Sequence, residues 1–397
     1  MNAMHGLFRH LGAVLVGMRS ALWVVFTASA VFSEASASPS NPETKTPTDW
    51  SVAGRPLPVP EFLQPQLDAE LPAYRPCSRE PLQGRIQGSV PAILPDLFQR
   101  WAQAFQQRHP GVVVDAPPPY LPPQGALNPA MRRFLAGEGD FAFVSRDLAY
   151  ADVAAYRRGH GQDVKPIAVA GGSWRHFGFI DTVAVVVHES NPLRAMSLAQ
   201  LDALFSSSRL RGHHPVRTWG DLGVAEWADK PVRVVGAAAW SSAEPSARAI
   251  AIRRVAMDHA GSEGRWRKDV PVDSKEADVP DIVARDPYAI GFTGLGHMVP
   301  QIRALALIQS DGGGRPVPPD YESVARGQYP LARFAYVLSA AKPSPIMREF
   351  LRFVLSKDGQ EIVSEQGIFL PLRALQASEG LRLIDSGATQ LGCSARP

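Results

Sequence analysis

Short apolar strands alternate with amphipathic helices from residue 84 to residue 366, and this alternation constrains the fold more than any other feature. The clearest strand is 181–188 (DTVAVVVH). The clearest helix is 94–109 (LPDLFQRWAQAFQQRH), whose apolar residues recur at the spacing of one helix face. Strands that alternate with helices predict α/β layers with a mostly parallel sheet in each lobe.

The remaining elements follow the same pattern. Further strands are predicted at 84–88, 112–114, 141–144, 231–235, 288–293, 304–308 and 332–339. Further helices are predicted at 129–136, 197–205, 244–259, 345–356 and 359–366. Ser197 is placed to cap the helix at 197–205, and Pro245 is expected in the first turn of the helix at 244–259. Residues 38–83 are rich in Pro, Ser and Thr, which predicts a linker or an irregular arm over the surface.

Length and composition exclude several classes of protein. The chain has 397 residues, of which 45% are apolar, and this apolar fraction is far above that of a disordered chain. At roughly 150 residues per domain, the length suggests two domains or lobes. The 41 basic and 38 acidic residues give a formal charge of +3, which offers no electrostatic case for a nucleic-acid partner.

Residues 1–37 are expected to be a signal peptide. Arg9 and Arg19 supply positive charge, and residues 21–32 (ALWVVFTASAVF) form an apolar run with small-x-small cleavage patterns in and after it. The run is shorter than the roughly 20 residues needed to span a bilayer, and an uncleaved N-terminal anchor is the alternative. We therefore expect an exported, periplasmic protein.

Export changes the interpretation of the two cysteines, Cys77 and Cys393. In an oxidising compartment they are expected to form a disulfide bond, and two free thiols are the alternative. The bond would enclose nearly the whole fold, and in the chain-entropy model a loop of that length is worth about 4 kcal/mol. Two cysteines are too few for a disulfide-knit scaffold or a Cys-rich zinc site.

Enzyme signatures are missing from the sequence. It contains no G-x-S-x-G, no P-loop, no H-E-x-x-H and no G-x-G-x-x-G after a strand. His213 and His214 are the only adjacent histidines, and their basic surroundings (RLRGHHPVR) indicate a solvated loop more than a metal site. We expect no catalytic residues, no metal and no cofactor.

Several stretches resemble the periplasmic phosphate-binding protein family of ABC transporters, from about residue 84 to about residue 372. They are 88–92 (GSVPA), 101–112 (WAQAFQQRHPGV), 191–193 (NPL), 197–201 (SLAQL), 218–223 (TWGDLG), 286–296 (DPYAIGFTGLG), 327–333 (GQYPLAR) and 350–356 (FLRFVLS). Their order and spacing together are typical of that family's fold.

The resemblance implies an α/β fold of the type II periplasmic-binding-protein class. In this fold two lobes are joined by two crossing strands, here 181–188 and 332–339, and a ligand binds in the cleft between the lobes. The implied segments are lobe 1 at 84–187, lobe 2 at 188–330, a return to lobe 1 at 331–375 and a C-terminal tail at 376–397.

The resemblance also implies four loops that hold an oxyanion with backbone N–H groups and hydroxyls at helix N-termini, where the helix dipole favours negative charge. The candidate ligand-binding residues are Ser89 and Val90 in the first loop, Gln124 and Gly125 in the second, Ser145, Arg146 and Asp147 in the third, and Trp240, Ser241 and Ser242 in the fourth. For the serines, a helix N-cap without a ligand is the alternative. For Arg146, the alternative is a surface ion pair with Asp147.

Three of these loops depart from the family's pattern. The fourth loop reads GAAAWSS at 236–242, without the family's Arg and Asp, and Trp240 stands where a small residue is typical. Trp240 would either plug the cleft or stack on a ligand other than phosphate. The second loop lacks the usual serines. In the third loop Arg146, followed by Asp147, replaces the carboxylate that accepts the ligand's proton in family members.

These features predict an exported solute-binding protein that captures phosphate or a related oxyanion in the interlobe cleft and delivers it to an ABC permease. The alternative is a degenerate envelope sensor or interaction module that keeps the fold and no longer binds phosphate. We expect a monomer that is not an enzyme.

Overall fold

The structure of the chain is a computed structural model. It describes residues 66–77, 80–91, 94–116, 132, 134–162, 164, 166–176, 179–237, 240, 245–270, 275–309, 313–339 and 343–385. The predicted signal peptide, the first part of the arm and five of the candidate residues lie outside the described residues; these five are Gln124, Gly125, Ser241, Ser242 and Cys393.

Strands and helices alternate through the described residues, as the sequence predicts. The strands are β1 (Gly84–Ser89), β2 (Val112–Asp115), β3 (Phe141–Val144), β4 (Ile167–Gly171), β5 (Val183–His188), β6 (Ala195–Ser197), β7 (Arg233–Val234), β8 (Ala289–Gly294), β9 (Ile302–Ala304), β10 (Ala306–Ile308) and β11 (Phe334–Ser339). The helices are α1 (Pro95–Arg108), α2 (Tyr150–His160), α3 (Leu198–Phe205), α4 (Ala247–Ile252), α5 (Val279–Val283), α6 (Tyr321–Ala325), α7 (Pro345–Val354), α8 (Lys357–Gln366) and α9 (Ala374–Asp385).

The first sheet has the strand order β2-β1-β3-β11-β4. β1 runs parallel to β2 and β3, whereas β11 runs antiparallel to its neighbours β3 and β4. Helices α1 and α7 bury aromatic residues against this sheet, and Phe98, Trp101, Phe105 and Phe350 are all at most 5% exposed. We call this layer lobe 1.

The second sheet has the order β7-β8-β5-β9, and we call the layer around it lobe 2. β7 and β8 are parallel, and β5 runs antiparallel to β8 and β9. Residues 183–187 of β5 are 0% exposed, which explains why this strand is apolar on both faces rather than alternating. In each sheet one strand is reversed and makes two antiparallel pairings, so both sheets are mixed rather than mostly parallel as predicted. The predicted two-lobe α/β fold is confirmed.

The chain passes between the lobes twice, and we call the two segments the passages. The first comprises the described residues 172–176 and 179–182, and the second is 331–333. They lie side by side: the Gly172 N–H donates to the Arg333 carbonyl at 2.7 Å, and the Val183 N–H donates to the Leu331 carbonyl at 3.3 Å. Each passage leads into the reversed strand of a sheet, β5 in lobe 2 and β11 in lobe 1.

The strand register shows which edge of each sheet the passages meet. Val183 at the start of β5 pairs with Gly294 at the end of β8, and Phe334 at the start of β11 pairs with Gly171 at the end of β4. The carboxyl ends of the parallel strands in both lobes therefore flank the passages. In α/β sheets this is the edge outside which ligands bind.

Two predicted elements differ from the structure. The predicted strand 304–308 is two strands, because Leu305 turns inward and donates its N–H to the Val185 carbonyl at 2.9 Å. β9 then pairs with β5, and β10 pairs with β6 in a small parallel sheet.

The predicted helix 244–259 begins later than expected. Ser246 is its N-cap and accepts a hydrogen bond from the Ala249 N–H at 3.1 Å, so α4 starts at Ala247. Pro245 precedes the cap, and its predicted place in the first turn was wrong. After α4 the chain continues as a π-helical turn, Arg253–Met257.

Six elements were not predicted from the sequence: α2, β4, β6, α5, α6 and α9. The buried residues of α2 are Asp152 and Tyr156, so this helix lacks the apolar stripe that would reveal it. Helix α9 includes residues 376–385, which the sequence analysis left in the C-terminal tail. Of the predicted helix 129–136, residues 132, 134 and 135 are described and helical.

Residues 66–77 of the predicted arm lie against lobe 1. Asp68 accepts a hydrogen bond from the Ala374 N–H at 3.0 Å and pairs with Arg373 at 3.1 Å. The Pro72 carbonyl accepts from the Lys357 N–H at 2.7 Å. These contacts make the arm part of the surface of lobe 1.

Tyr74 fastens the arm through a buried polar contact. Its hydroxyl donates to Glu349 Oε1 at 2.7 Å and lies 2.7 Å from His109 Nε2. Glu349 is 4% exposed and also accepts from the Cys77 N–H at 3.1 Å. Burial and the Glu349 carboxylate raise the pKa of Tyr74, and burial lowers the pKa of His109.

Replacing Tyr74 by Phe would leave the buried Glu349 with one donor fewer. Because an unsatisfied buried polar group costs about 1–3 kcal/mol, we expect Tyr74→Phe to lower the free energy of unfolding by that amount. Urea unfolding followed by circular dichroism measures the change. Tyr150→Phe is the matched control, since that hydroxyl donates to Asp258 from a side chain that is 44% exposed, and we expect a loss below about 0.5 kcal/mol. Equal losses in the two variants would contradict the fastening role of Tyr74.

Candidate functional site

Ser89 and Val90 lie at the carboxyl end of β1, on the edge that flanks the passages. Both are 4% exposed, and Ser89 is in register with Ala142 of β3. The N-cap of α1 is Leu94, so Ser89 does not cap this helix. The first predicted loop therefore follows a strand end, and Ser89 does not lie at a helix N-terminus.

The third predicted loop, Ser145 to Asp147, follows β3 on the same edge, and its charged side chains have partners within lobe 1. Arg146 Nη1 pairs with Asp152 Oδ2 at 2.5 Å and donates to the Asp147 carbonyl oxygen at 2.9 Å. Asp147 Oδ1 accepts from the Tyr336 hydroxyl at 3.0 Å. The carboxylate that pairs with Arg146 is thus Asp152 in the first turn of α2, rather than Asp147.

Trp240 of the fourth predicted loop lies in the core of lobe 2. It is 2% exposed, and its ring stacks on Phe292 with the centroids 3.7 Å apart. Phe205 and Trp266 complete the aromatic cluster at 5.6 Å and 5.9 Å. The described contacts of Trp240 are core contacts, and they do not bring it together with Ser89 or the third loop.

Three charged residues that the sequence analysis did not select meet at the passages, and we call them the charged cluster: Asp181, Arg248 and Arg333. Asp181 precedes β5 and is 1% exposed, and Arg333 precedes β11 and is 8% exposed. Arg248 Nη2 donates to Asp181 Oδ1 at 2.8 Å, and Arg333 Nη1 lies 4.0 Å from the same oxygen. Two guanidinium groups therefore converge on one buried carboxylate.

Arg333 joins the charged cluster to the third loop. Its Nη2 donates to the Ser145 carbonyl at 3.0 Å, and its Nη1 donates to the Asp181 main-chain carbonyl at 3.4 Å. Burial and the neighbouring Arg248 cation lower the pKa of Arg333, and the Asp181 carboxylate opposes this shift. Ser145, which the sequence predicted, and the charged cluster, which it did not, thus belong to one place in the fold.

Arg248 has further contacts within lobe 2. Its Nη1 lies 3.4 Å from Glu276 Oε2, and its Nη2 lies 3.2 Å from His297 Nε2. Burial opposes the charge of Arg248, but Asp181 and Glu276 together raise its pKa. Its third nitrogen, Nε, is buried and has no hydrogen-bond partner among the described residues. Arg248 therefore keeps one donor without an acceptor.

Glycines at the end of β8 make room for the charged cluster. Asp181 Oδ2 accepts from the Gly296 N–H at 3.1 Å. A Cβ on Gly294 would lie 1.9 Å from Asp181 Oδ2 and 2.7 Å from Arg248 Nε. Gly294 has a φ of −82°, which any residue can adopt, so its backbone conformation does not require glycine. Glycine is required because a side chain at this position would collide with the charged cluster.

The lobes touch beside the third loop. Arg254 of lobe 2 donates from Nη1 to the Leu148 carbonyl of lobe 1 at 3.1 Å. The Tyr150 hydroxyl donates to Asp258 Oδ2 at 3.0 Å, and the Arg253 guanidinium lies 5.0 Å from the centroid of the Tyr150 ring. These contacts join the start of α2 to the π-helical turn that follows α4.

The sequence held a signal for two members of the charged cluster. Asp181 and Arg333 each stand close before an apolar strand, and Arg333 closes the stretch 327–333 that carried the resemblance. Charged residues in such apolar surroundings are rarely buried unless they form an ion pair, so an oppositely charged partner could be expected for Asp181 and for Arg333. Arg248 had no such signal, because its surroundings (SARAIAI) are those of an ordinary helix.

The donors in this region suit an anion rather than a metal. Within the described ranges, no group of three or more His, Cys, Asp or Glu side chains is placed to hold a metal ion. Guanidinium and backbone N–H groups are instead the usual donors to carboxylate and phosphate oxygens. Among the residues that the structure describes, no helix is long and apolar enough to cross a membrane.

Replacing Gly294 by Ala tests whether the charged cluster depends on this space. The added methyl group must displace the Asp181 carboxylate or the Arg248 guanidinium, and overpacking of this kind costs about 1–3 kcal/mol. We expect Gly294→Ala to lower the free energy of unfolding by that amount, measured by urea unfolding. An unchanged stability would show that the carboxylate does not need the position described here.

The chain is similar in sequence to a known protein family and to individual proteins. A family model described as a PBP superfamily domain matches residues 78–358. The phosphate-binding protein PstS of Pseudomonas aeruginosa is 28% identical over 322 residues, which cover 80% of this chain and 91% of that protein. Protein SphX of Synechococcus elongatus is 26% identical over 250 residues, covering 61% of this chain and 66% of that protein.

Solved structures of similar proteins include an ABC-type phosphate transport receptor from Vibrio cholerae, with 17% identity and a TM-score of 0.45 over 72% of this chain and all of that one. PstS from Borrelia burgdorferi has 15% identity and a TM-score of 0.46 over 73% of this chain and all of that one. The family model alone spans most of the chain. The chain therefore belongs to the PBP superfamily and is a binding protein rather than an enzyme.

Proposed function

We propose that the chain is an exported solute-binding protein that captures phosphate or a related oxyanion between its lobes and delivers it to an ABC permease. The observation that carries the proposal is the pair of guanidinium groups of Arg248 and Arg333, whose side chains are 16% and 6% exposed, where the carboxyl edges of both sheets meet. Similar proteins that are named phosphate-binding proteins support the same ligand class.

The physical case for an oxyanion is the density of donors. A desolvated anion needs charge-assisted hydrogen bonds to offset the water it loses, and guanidinium groups supply them in a fixed geometry. Ser89 and Ser145 lie at strand ends on the lobe 1 side of the same region, and the Arg333 side chain already reaches Ser145. Ligand contact by Ser89, Val90, Ser145, Arg146 and Asp147 remains part of this proposal.

Delivery to a permease requires that ligand binding favours one arrangement of the lobes over another. The two passages are the connections about which the lobes would rotate. We further propose that residues 1–37 are a signal peptide and that the protein is released into the periplasm as a monomer.

The degenerate module remains the second candidate, and one observation favours it. Three guanidinium groups near the meeting edges already lie beside a carboxylate of the same chain: Arg146 beside Asp152, and Arg248 and Arg333 beside Asp181. A site neutralised in this way can keep the fold without holding an external anion.

Thermal unfolding with phosphate, with sulfate and without either anion separates the two candidates. A ligand at about 100 times its dissociation constant stabilises the folded state by roughly 2.7 kcal/mol, and we expect phosphate to produce such a rise in melting temperature. Equal rises with phosphate and sulfate would indicate a general oxyanion site. No rise with either anion would contradict the proposed function and favour the degenerate module.

The predicted disulfide bond between Cys77 and Cys393 is also part of the proposal, since it requires an oxidising compartment. We expect the denatured, unreduced mature protein to contain no titratable thiol in an assay with Ellman's reagent. The reduced protein, as the control, should contain two. Two thiols before reduction would refute the bond.

A further inference from the structure

We propose that Asp181 is an internal competitor for the oxyanion: its carboxylate occupies the position between Arg248 and Arg333 that a bound phosphate or similar small oxyanion would take. The inference rests on the proposed function and deepens it. It places the binding site at the charged cluster and makes Asp181 the residue that determines how tightly an external anion is held.

The donors around Asp181 are those of an oxyanion site. Its Oδ1 accepts from Arg248 Nη2 at 2.8 Å, and its Oδ2 accepts from the Gly296 N–H at 3.1 Å. Arg333 Nη1 approaches Oδ1 from the other passage at 4.0 Å. Two guanidinium groups and a backbone N–H satisfy a carboxylate and a phosphate by the same hydrogen bonds.

Asp181 does not saturate these donors. The 4.0 Å separation leaves Arg333 Nη1 beyond hydrogen-bond distance of the carboxylate, although it reaches the Asp181 main-chain carbonyl at 3.4 Å. The buried Arg248 Nε has no acceptor among the described residues. An oxyanion has more oxygen atoms than a carboxylate and would give these remaining N–H groups acceptors.

The charge balance explains why Asp181 would compete. Arg248 and Arg333 carry two positive charges, and Asp181 and Glu276 carry two negative ones, within contact distance of one another. An added anion would make this buried group net negative, and like charges repel strongly where water is excluded. An external anion therefore binds tightly only when the Asp181 carboxylate moves away or is replaced by a neutral side chain.

Removing the charge of Asp181 tests the inference. Asp181→Asn keeps the size of the side chain and leaves the guanidinium groups of Arg248 and Arg333 without that counter-charge. We expect the full mature chain to bind phosphate at least about tenfold more tightly than the wild type, because a hydrogen bond to a charged group is worth a factor of that order or more. Isothermal titration calorimetry at fixed pH and ionic strength measures both constants.

Asp152→Asn is the matched control. Asp152 pairs with Arg146 at 2.5 Å, and its side chain is 5% exposed, so the substitution also frees a guanidinium group from a buried carboxylate. Because Arg146 is itself a proposed ligand contact, we expect any gain in phosphate affinity to be smaller than that of Asp181→Asn. The double variant Asp181→Asn with Arg248→Gln should lose the gain of Asp181→Asn, which assigns the gain to the charged cluster.

The outcomes separate the inference from the proposed function. Tighter phosphate binding by Asp181→Asn than by the wild type, without a matching gain in Asp152→Asn, supports the inference. If Asp181→Asn binds phosphate and the wild type does not, the proposed function is contradicted and the competing role of Asp181 is still supported. Binding by the wild type that is unchanged or weakened in Asp181→Asn overturns the inference and leaves the function intact. No binding by either protein overturns both.

Two further outcomes are decisive. A gain in Asp152→Asn instead of Asp181→Asn would overturn the inference and make Arg146 the anchor. If Asp181→Asn unfolds in the absence of anion, recovery of its circular dichroism spectrum in phosphate but not in chloride supports the inference. No recovery in either salt overturns it.

Discussion

The hydrogen bonds between the two passages are the constraint on which the rest of the structure depends. The Gly172 N–H donates to the Arg333 carbonyl, and the neighbouring Gly171 N–H donates to Leu370 at 2.7 Å, so three segments distant in sequence are held together. A Cβ on Gly172 would lie 2.2 Å from the Ile180 carbonyl oxygen, so only glycine permits this approach. Because the passages are held in register, the reversed strands β5 and β11 enter their sheets at the same level, and the carboxyl ends of both sheets face one region.

Local sequence patterns predicted many of the strands and helices. The apolar run in β5 predicted a strand buried on both faces, and the helical spacing in α1 predicted its boundaries to within one residue. Ser197 caps α3 as expected, and its hydroxyl accepts from the Gln200 N–H at 3.1 Å. These elements were predictable because the interactions that define them lie within a few residues of chain. The order of the resembling stretches then supplied the arrangement of the lobes, which no local pattern contains.

The charged cluster could not be predicted in the same way. Asp181 and Arg248 are 67 residues apart, and Ser145 and Arg333 are 188 residues apart, so their contacts depend on the passages and on the register of both sheets. Trp240 shows the converse. Its position in the fourth predicted loop suggested a role in the cleft, but Phe205, Phe292 and Trp266 surround it in the core of lobe 2. Contacts between distant parts of the chain determine both the charged cluster and the position of Trp240.

The docked arm makes the two lobes mechanically unequal. A force applied to the chain before residue 66 would act on the contacts of Asp68, Pro72 and Tyr74. All three residues contact lobe 1. In the part of the chain described here, lobe 2 lies outside that load path and is joined to lobe 1 through the passages and the contacts beside the third loop. A rotation of lobe 2 would therefore do no work against the arm, and lobe 1 is the natural fixed frame for such a movement.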